Sequence, residues 1–256
     1  MVCFEAERWT GFYRNTGLIS PEYATTQAQL TRLIEAMKKN PKSKVFIGFN
    51  RPKSPLFKRL QALLARESGS LMINWFVALH EVSARGEDSS EEGSPVVTHL
   101  CHWSDLSLHL VTMEKAFPCT IVPTTPVEAK SGFVASIMFS DCSCASITFS
   151  AKGHVFEALR EVLNIHKGNL LATLTDFRFL NIEVVEKKKR ISLLHCDRGH
   201  EANIVHSFRG VTRDGVAGEN WQYISATAKL YLAIREPVDS RKIVTLSREE
   251  AIGGFL

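Results

Sequence analysis

The chain has no apolar stretch of 18 residues, so no segment of it reads as a transmembrane helix. It has no Gly-x-Gly-x-x-Gly run, no Walker-type glycine loop and no Gly-x-Ser-x-Gly elbow. A dinucleotide-binding turn, a P-loop and a serine nucleophile of the hydrolase type therefore cannot be read from it. It also lacks an Asn-x-Ser/Thr sequon and a Cys-x2-Cys pair. The opening residues, Met-Val-Cys-Phe-Glu-Ala-Glu-Arg-Trp, are charged rather than apolar, which argues against a secretory signal. Val2 stands where myristoylation needs a glycine, and the final residues hold no prenylation cysteine. Six cysteines in 256 residues are too sparse for a disulfide scaffold. Reduced thiols in an intracellular protein, cytoplasmic or nuclear, are the expectation.

Apolar residues make up 45% and charged residues 23%, as in a globular chain long enough to bury its own core. The net charge is +4, but it is unevenly spread. Residues 1–67 hold 12 Lys/Arg against 5 Asp/Glu, a balance of +7. Residues 68–153 hold 4 against 9, a balance of −5. A basic front and an acidic middle point to an anionic partner.

Periodicity predicts a helix over 21–39, capped by Ser20 and Pro21, with Tyr23, Leu30, Leu33, Ile34 and Met37 on one face. A short strand follows at 45–49, then a second helix starting at Ser54-Pro55 with Leu56, Leu60, Leu63 and Leu64 inward. From residue 71 the pattern reads as β. Strands are predicted at 71–82, 96–101, 106–113, 120–122, 133–139, 144–149, 170–179, 182–185, 191–196 and 204–208. A mobile acidic loop is expected over 84–94. The clearest alternation lies at 222–234, where Ile224, Ala226, Ala228, Leu230, Leu232 and Ile234 share a face. One helix is expected near 154–165, from the spacing of Val155, Phe156, Leu159, Val162 and Leu163. The predicted class is α+β: a mostly antiparallel, sandwich- or barrel-like sheet system with two N-terminal helices and one inserted helix. Residues 1–67 form a basic, helix-rich segment packed on a β-rich domain of 68–256, the two together forming one domain or two.

The basic segment carries the leading functional signal. Lys38, Lys39, Lys42, Lys44, Arg51, Lys53, Lys58, Arg59 and Arg66 occur with no acidic residue among them between 36 and 66. Phe46, Phe49 and Phe57 are interleaved. Cations that displace counterions, with aromatic faces for stacking, suit RNA or another nucleic acid. An anionic membrane surface is the rival partner. Lys187-Lys188-Lys189-Arg190 forms a second basic cluster between two predicted strands.

His/Cys clusters come next. His99, Cys101 and His102 lie near Asp105 and His109 in sequence, Cys142 and Cys144 follow Asp141, and His195-Cys196 precedes His200. His99, Cys101, Cys142 and Cys144 are the candidate zinc ligands, although their spacing matches no finger or ribbon. Cys196 with His154 or His200 could make a thiol enzyme, and His102 or His109 could act as a base. The reading from sequence is a non-enzymatic polyanion-binding protein, most readily of nucleic acid. It needs no cofactor, and a homo-oligomeric, viral accessory, movement or matrix-like role suits it. The alternatives are a hydrolase or nuclease using the His/Cys clusters, with or without zinc, and a membrane-surface or protein-interaction module in which the acidic loop Glu87–Glu92 contacts a basic partner.

Overall fold

The computed structural model describes residues 3–4, 17–19, 26–79, 100–124, 132–150, 159–212, 217–240 and 242–253. In chain order the strands are β1 (Cys3–Phe4), β2 (Gly17–Ile19), β3 (Val45–Ile47), β4 (Met72–Leu79), β5 (Cys119–Thr124), β6 (Gly132–Met138), β7 (Cys144–Ser150), β8 (Leu159–Lys167), β9 (Leu170–Thr175), β10 (Phe179–Val184), β11 (Lys187–Ser192) and β12 (Val244–Leu246). The helices are α1 (Gln27–Lys39), α2 (Pro55–Leu64), α3 (Leu100–Val111), the one-turn α4 (Met113–Ala116), α5 (His200–Thr212) and α6 (Trp221–Ser240). A 3-10 turn at Arg51–Lys53 leads into α2, and a π turn at Glu249–Gly253 follows β12. Among the described residues no helix is long and apolar enough to cross a membrane.

β1, β2 and β3 form a small parallel sheet in that order. The main sheet has nine strands in the order β11-β10-β9-β8-β4-β7-β6-β5-β12. β4 is its axis. After β4 the chain crosses through α3 to β5 and meanders back through β6 to β7, which lies parallel to β4. It then passes to the other side of β4 and meanders outward from β8 to β11. Every pairing in this sheet except β4·β7 is antiparallel.

The alternation that makes these segments strands also gives the sheet two unlike faces. Ile73, Trp75 and Val77 of β4 are buried on one face, in register with Ala145, Ile147 and Phe149 of β7 and with Leu163 and Ile165 of β8. The Phe133 and Phe149 rings stack at 5.7 Å on the same side. The opposite face stays open, and Met72 and Met138 are 59% and 55% exposed there.

α3 and α6 cover the buried face. Trp75 Nε1 donates to Ser107 Oγ at 3.2 Å, pinning α3 to β4. α6 packs on α3, β5 and α1. On α1, Thr26 and Gln29 form a reciprocal capping box, and Leu30, Leu33 and Ile34 face inward.

These findings correct the predicted architecture. The strands form an open, mixed sheet with helices against one face, not a sandwich or barrel closed on itself. The helix near 154–165 is strand β8 from Leu159 on, and 151–158 lie outside the described residues. Residues 204–208 belong to α5. The strand expected at 222–234 is α6, and those at 96–101 and 106–113 are replaced, over the described part, by α3. For α3 and α6 the physical reason is shared. α3 lies between a sheet and another helix, so Leu100, Cys101, Trp103, Ser104, Leu106, Leu108 and Leu110 are all buried. A helix wrapped on several sides has no polar stripe, and its sequence loses the 3.6-residue signal. The expected helix at 21–39 is described from Gln27, with Thr26 as its cap; the proposed cap at Ser20-Pro21 and the acidic loop at 84–94 lie outside the described residues.

Candidate active site

Asp105 and His109 stand one turn apart on α3, so both side chains leave the same helix face. Tyr223, in the first turn of α6, points at that face. Its hydroxyl donates a short hydrogen bond to Asp105 Oδ1 and lies 3.0 Å from His109 Nε2. His109 Nε2 is 3.7 Å from Asp105 Oδ1. The His109 and Tyr223 rings meet at 5.6 Å, inclined by 60°. From α2, Gln61 Nε2 donates to the His109 carbonyl at 3.1 Å.

Lys53 arrives from the 3-10 turn and carries the nearby positive charge; Glu219, just before α6, carries a second carboxyl. The Lys53 turn is held firmly. Asn50 Nδ2 donates to the Arg198 carbonyl at 2.8 Å. Gly199 adopts φ +81° against the turn, where a Cβ would overlap the Asn50 carbonyl oxygen and lie 2.7 Å from Ser54 N. Glu219 is placed by its backbone N–H, which donates to the Val45 carbonyl of β3 at 2.7 Å.

Burial sets the electrostatics. Asp105 is 0% exposed, and burial pushes its carboxyl up to about 8. The Tyr223 hydrogen bond opposes that rise, Glu219 adds to it, and Lys53 and Arg51 offset part of it. Its Oδ2 is buried with no hydrogen-bond partner among the described residues. Burial, helped by Lys53, pushes His109 down to about 4. At neutral pH the pair is therefore a protonated carboxyl and a neutral imidazole, bridged by a hydroxyl, and not an ion pair. Burial lowers Lys53 against the pull of Glu219 and Asp105, and raises Glu219 against Lys53. A buried acid, a base and a hydroxyl between them can move a proton without a free ion.

The residues singled out from sequence are scattered. Arg51 is buried, its Nε 2.6 Å from Glu161 Oε1, and Lys53 and Lys44 are half-buried. Lys44 Nζ donates to the Gly210 carbonyl at 3.0 Å. Lys38, Lys39, Lys42, Lys58, Arg59 and Arg66 are exposed, and Lys38 sits 4.3 Å over the Trp221 ring. Phe46, Phe49 and Phe57 are core residues, so they offer no face for a base to stack on. His99 and His154 lie outside the described residues. Cys101 is buried on α3, while Cys142 is exposed and Cys144 half-buried at the β6–β7 turn. Among the described residues no group of three His, Cys, Asp or Glu side chains converges as metal ligands do. Cys196 and His200 share the wall of a cavity of about 470 Å³ with Pro55, Asp197 and Arg198. Of the residues weighed from sequence, His109 and Lys53 enter the site. Asp105 was noted only as a neighbour of the histidines, Tyr223 was placed on a strand, and Glu219 gave no signal. Asp-x3-His spacing would have marked the first pair had 100–111 been read as a helix.

No protein-family profile matches the chain, and no curated protein sequence matches it. Solved structures do match. Levoglucosan dehydrogenase in complex with NADH and levoglucosan superposes with a TM-score of 0.71 at 13% identity, covering 89% of this chain and 72% of that one. UDP-N-acetylglucosamine 3-dehydrogenase GnnA from Acidithiobacillus ferrooxidans gives 0.69 at 15% identity, covering 88% and 70%. GenD2 from gentamicin A biosynthesis, in complex with NAD, gives 0.67 at 13% identity, covering 91% and 72%. At 13–15% identity these likenesses show a shared fold alone.

This likeness overturns three expectations. The chain superposes on these structures through an open sheet with helices against one face, not a closed sandwich or barrel. Structures that the chain superposes on include dehydrogenases, which displaces the non-enzymatic binder of nucleic acid or anionic membrane and the viral role. Several hold NAD or NADH, which displaces the expectation of no cofactor. The three phenylalanines are core residues and Arg51 is buried, so the interleaved aromatic faces that favoured nucleic acid are not offered to a base.

Proposed function

We propose that the protein is an intracellular, nicotinamide-dependent oxidoreductase acting on a hydroxyl-bearing, sugar-like substrate. The observation that carries this reading is the Asp105–Tyr223–His109 cluster on a dehydrogenase fold. The reacting end of a nicotinamide cofactor suits the site, because Lys53, Tyr223 and His109 supply charge and proton transfer next to a buried carboxyl oxygen that has no partner among the described residues. The pyrophosphate end has no Gly-x-Gly-x-x-Gly cradle in this sequence. When bound, the nicotinamide ring would accept or give the hydride.

The chain's own residues handle the proton. His109, with 34% of its side chain exposed, is the member that solvent or substrate can reach. Asp105 is the buried store. When Asp105 is ionised it accepts from the Tyr223 hydroxyl, and the Tyr223 oxygen can in turn accept from His109 Nε2. Shifting both protons along this chain passes a proton taken up by His109 on to Asp105 and leaves the imidazole neutral. A substrate alcohol losing its proton toward His109 would find Lys53 nearby to favour the alkoxide.

The test is fluorescence titration of the purified protein with NADH and NADPH, followed by turnover of sugars and polyols with NAD⁺ or NADP⁺. Saturable binding of one dinucleotide, and turnover that falls at least about a hundredfold in His109→Ala, is expected. No dinucleotide binding up to millimolar concentration overturns the reading.

A further inference from the structure

Glu161 is a charge in an apolar layer. It lies on the covered face of β8 with Leu163 and Ile165 and is 1% exposed. Its Oε1 accepts from Arg51 Nε at 2.6 Å and from Trp103 Nε1 at 3.1 Å. Its Oε2 accepts from Arg198 Nε at 2.6 Å. Its backbone is fixed too: Glu161 N–H donates to Asp176 Oδ1 at 2.8 Å, and Asp176 N–H donates to the Glu161 carbonyl at 2.7 Å. Burial alone would raise this carboxyl, but Arg51 and Arg198 outweigh burial and hold it below the usual range.

One carboxylate thus joins three segments. Arg51 sits two residues before Lys53 in the same tight turn. Trp103 sits two residues before Asp105 on α3. Arg198 precedes Gly199, and its carbonyl receives Asn50 from that turn. Two of these three segments carry the candidate site. An apolar residue could have filled this place without desolvating a charge, so tight packing alone does not account for a carboxylate here.

We propose that Glu161 is a positioning residue: by gripping Arg51 and Trp103 together it sets Lys53 and Asp105 relative to one another and neutralises the Arg51 charge beside them. The proposal rests on the reading of Asp105 and His109 as the proton-handling pair. Several charged or titratable groups bear on Asp105: His109 on α3, Tyr223 on α6, Glu219 before α6, and Lys53 and Arg51 on the turn.

The test follows the Asp105 carboxyl carbon by NMR through a pH titration, without cofactor or substrate. It compares the unaltered protein with Glu161→Gln and Trp103→Phe. Glu161→Gln keeps an acceptor for Trp103 but frees the Arg51 charge, so the Asp105 midpoint should move down by about one pH unit. Trp103→Phe removes a single hydrogen bond and keeps both ion pairs. It should loosen α3, admit water and move the midpoint down by less. An unchanged midpoint in either folded variant overturns the proposal, and Trp103→Phe decides the matter should Glu161→Gln not fold. The readout is separate from the proposed chemistry. A protein that binds no dinucleotide but shows the shift refutes the oxidoreductase reading alone, and one that binds dinucleotide without the shift refutes only the role of Glu161.

Discussion

Tyr223 on α6 donates its phenolic proton to Asp105 on α3, and the same oxygen lies 3.0 Å from His109 Nε2. One hydroxyl therefore joins the two titratable groups of α3 through a neighbouring helix. Tyr223→Phe keeps the ring and removes the bridge. Loss of the hydrogen bond that favours the ionised carboxyl should raise the Asp105 midpoint further. Stability should drop by about 1 kcal/mol, the usual worth of one hydrogen bond. Turnover should fall by roughly a hundredfold, as for loss of a proton-relay member. Carboxyl NMR, urea denaturation and steady-state rates read these three in turn, and a midpoint that falls contradicts the bridge.

Asp105 also gives stability a pH dependence of definite sign. Folding raises its pKa from 3.8 to about 8, so the folded protein keeps a proton that the unfolded chain has released. The stabilisation from this group is complete below about pH 3.8, declines as pH rises, and is gone above about 8. His109 acts the other way. Folding lowers its pKa from 6.5 to about 4, so its contribution is present above 6.5 and lost as pH falls toward 4. With a third of its side chain exposed, solvent screens that contribution, which only partly offsets Asp105 between pH 4 and 6.5. Between pH 6.5 and 8 Asp105 acts without that opposition, and the protein should lose about 2 kcal/mol. Asp105→Asn should remove this decline, as seen in urea denaturation at the two pH values. A parallel decline in the variant assigns the effect elsewhere.

Gly199 is a backbone contact rather than a hinge. Its φ of +81° and its closeness to Asn50 and Ser54 leave no room for a side chain. Gly199→Ala should cost at least about 1–3 kcal/mol from the left-handed conformation alone. The clash should also push the 50–54 turn outward and take Lys53 from Asp105. Faster amide exchange at 51–54, with the β4–β7 core unchanged, is the expected pattern.

What was legible in the sequence follows from how each element is buried. β4, β6 and β7 show their alternation because one sheet face is covered and the other open, so Met72, Ile73, Asn74 and Trp75 change sides residue by residue. α1 and α2 show theirs because each covers the fold with one stripe. α3 and α6 are hidden because they are buried on several sides. Ala226, Thr227, Ala228 and Leu230 are buried together, which from sequence alone resembles a strand. The site sits on these two helices, so misreading them hid it. The basic run misled for a related reason. Its spacing looked like a surface, yet Arg51 turns inward to Glu161 and the three phenylalanines enter the core.

The buried cluster of Arg51, Glu161 and Arg198 separates stability from position. Glu161→Ala leaves two guanidinium groups facing an apolar layer and should cost about 3–5 kcal/mol, the usual result of stripping one partner from a buried pair. Replacing the set with apolar residues, as Arg51→Met, Glu161→Leu and Arg198→Met together, strands no charge. Such replacements are often neutral or stabilising by about 1–4 kcal/mol. The triple variant should therefore unfold at a urea concentration no lower than the unaltered protein. It should nonetheless titrate Asp105 differently, because the carboxylate that gathers the Lys53 turn and α3 is gone. A triple variant as unstable as Glu161→Ala would mean that the cluster holds the fold and that its hold on the site is incidental. A stable triple variant with an altered site would mean that evolution kept a costly buried charge for where it places Lys53 and Asp105.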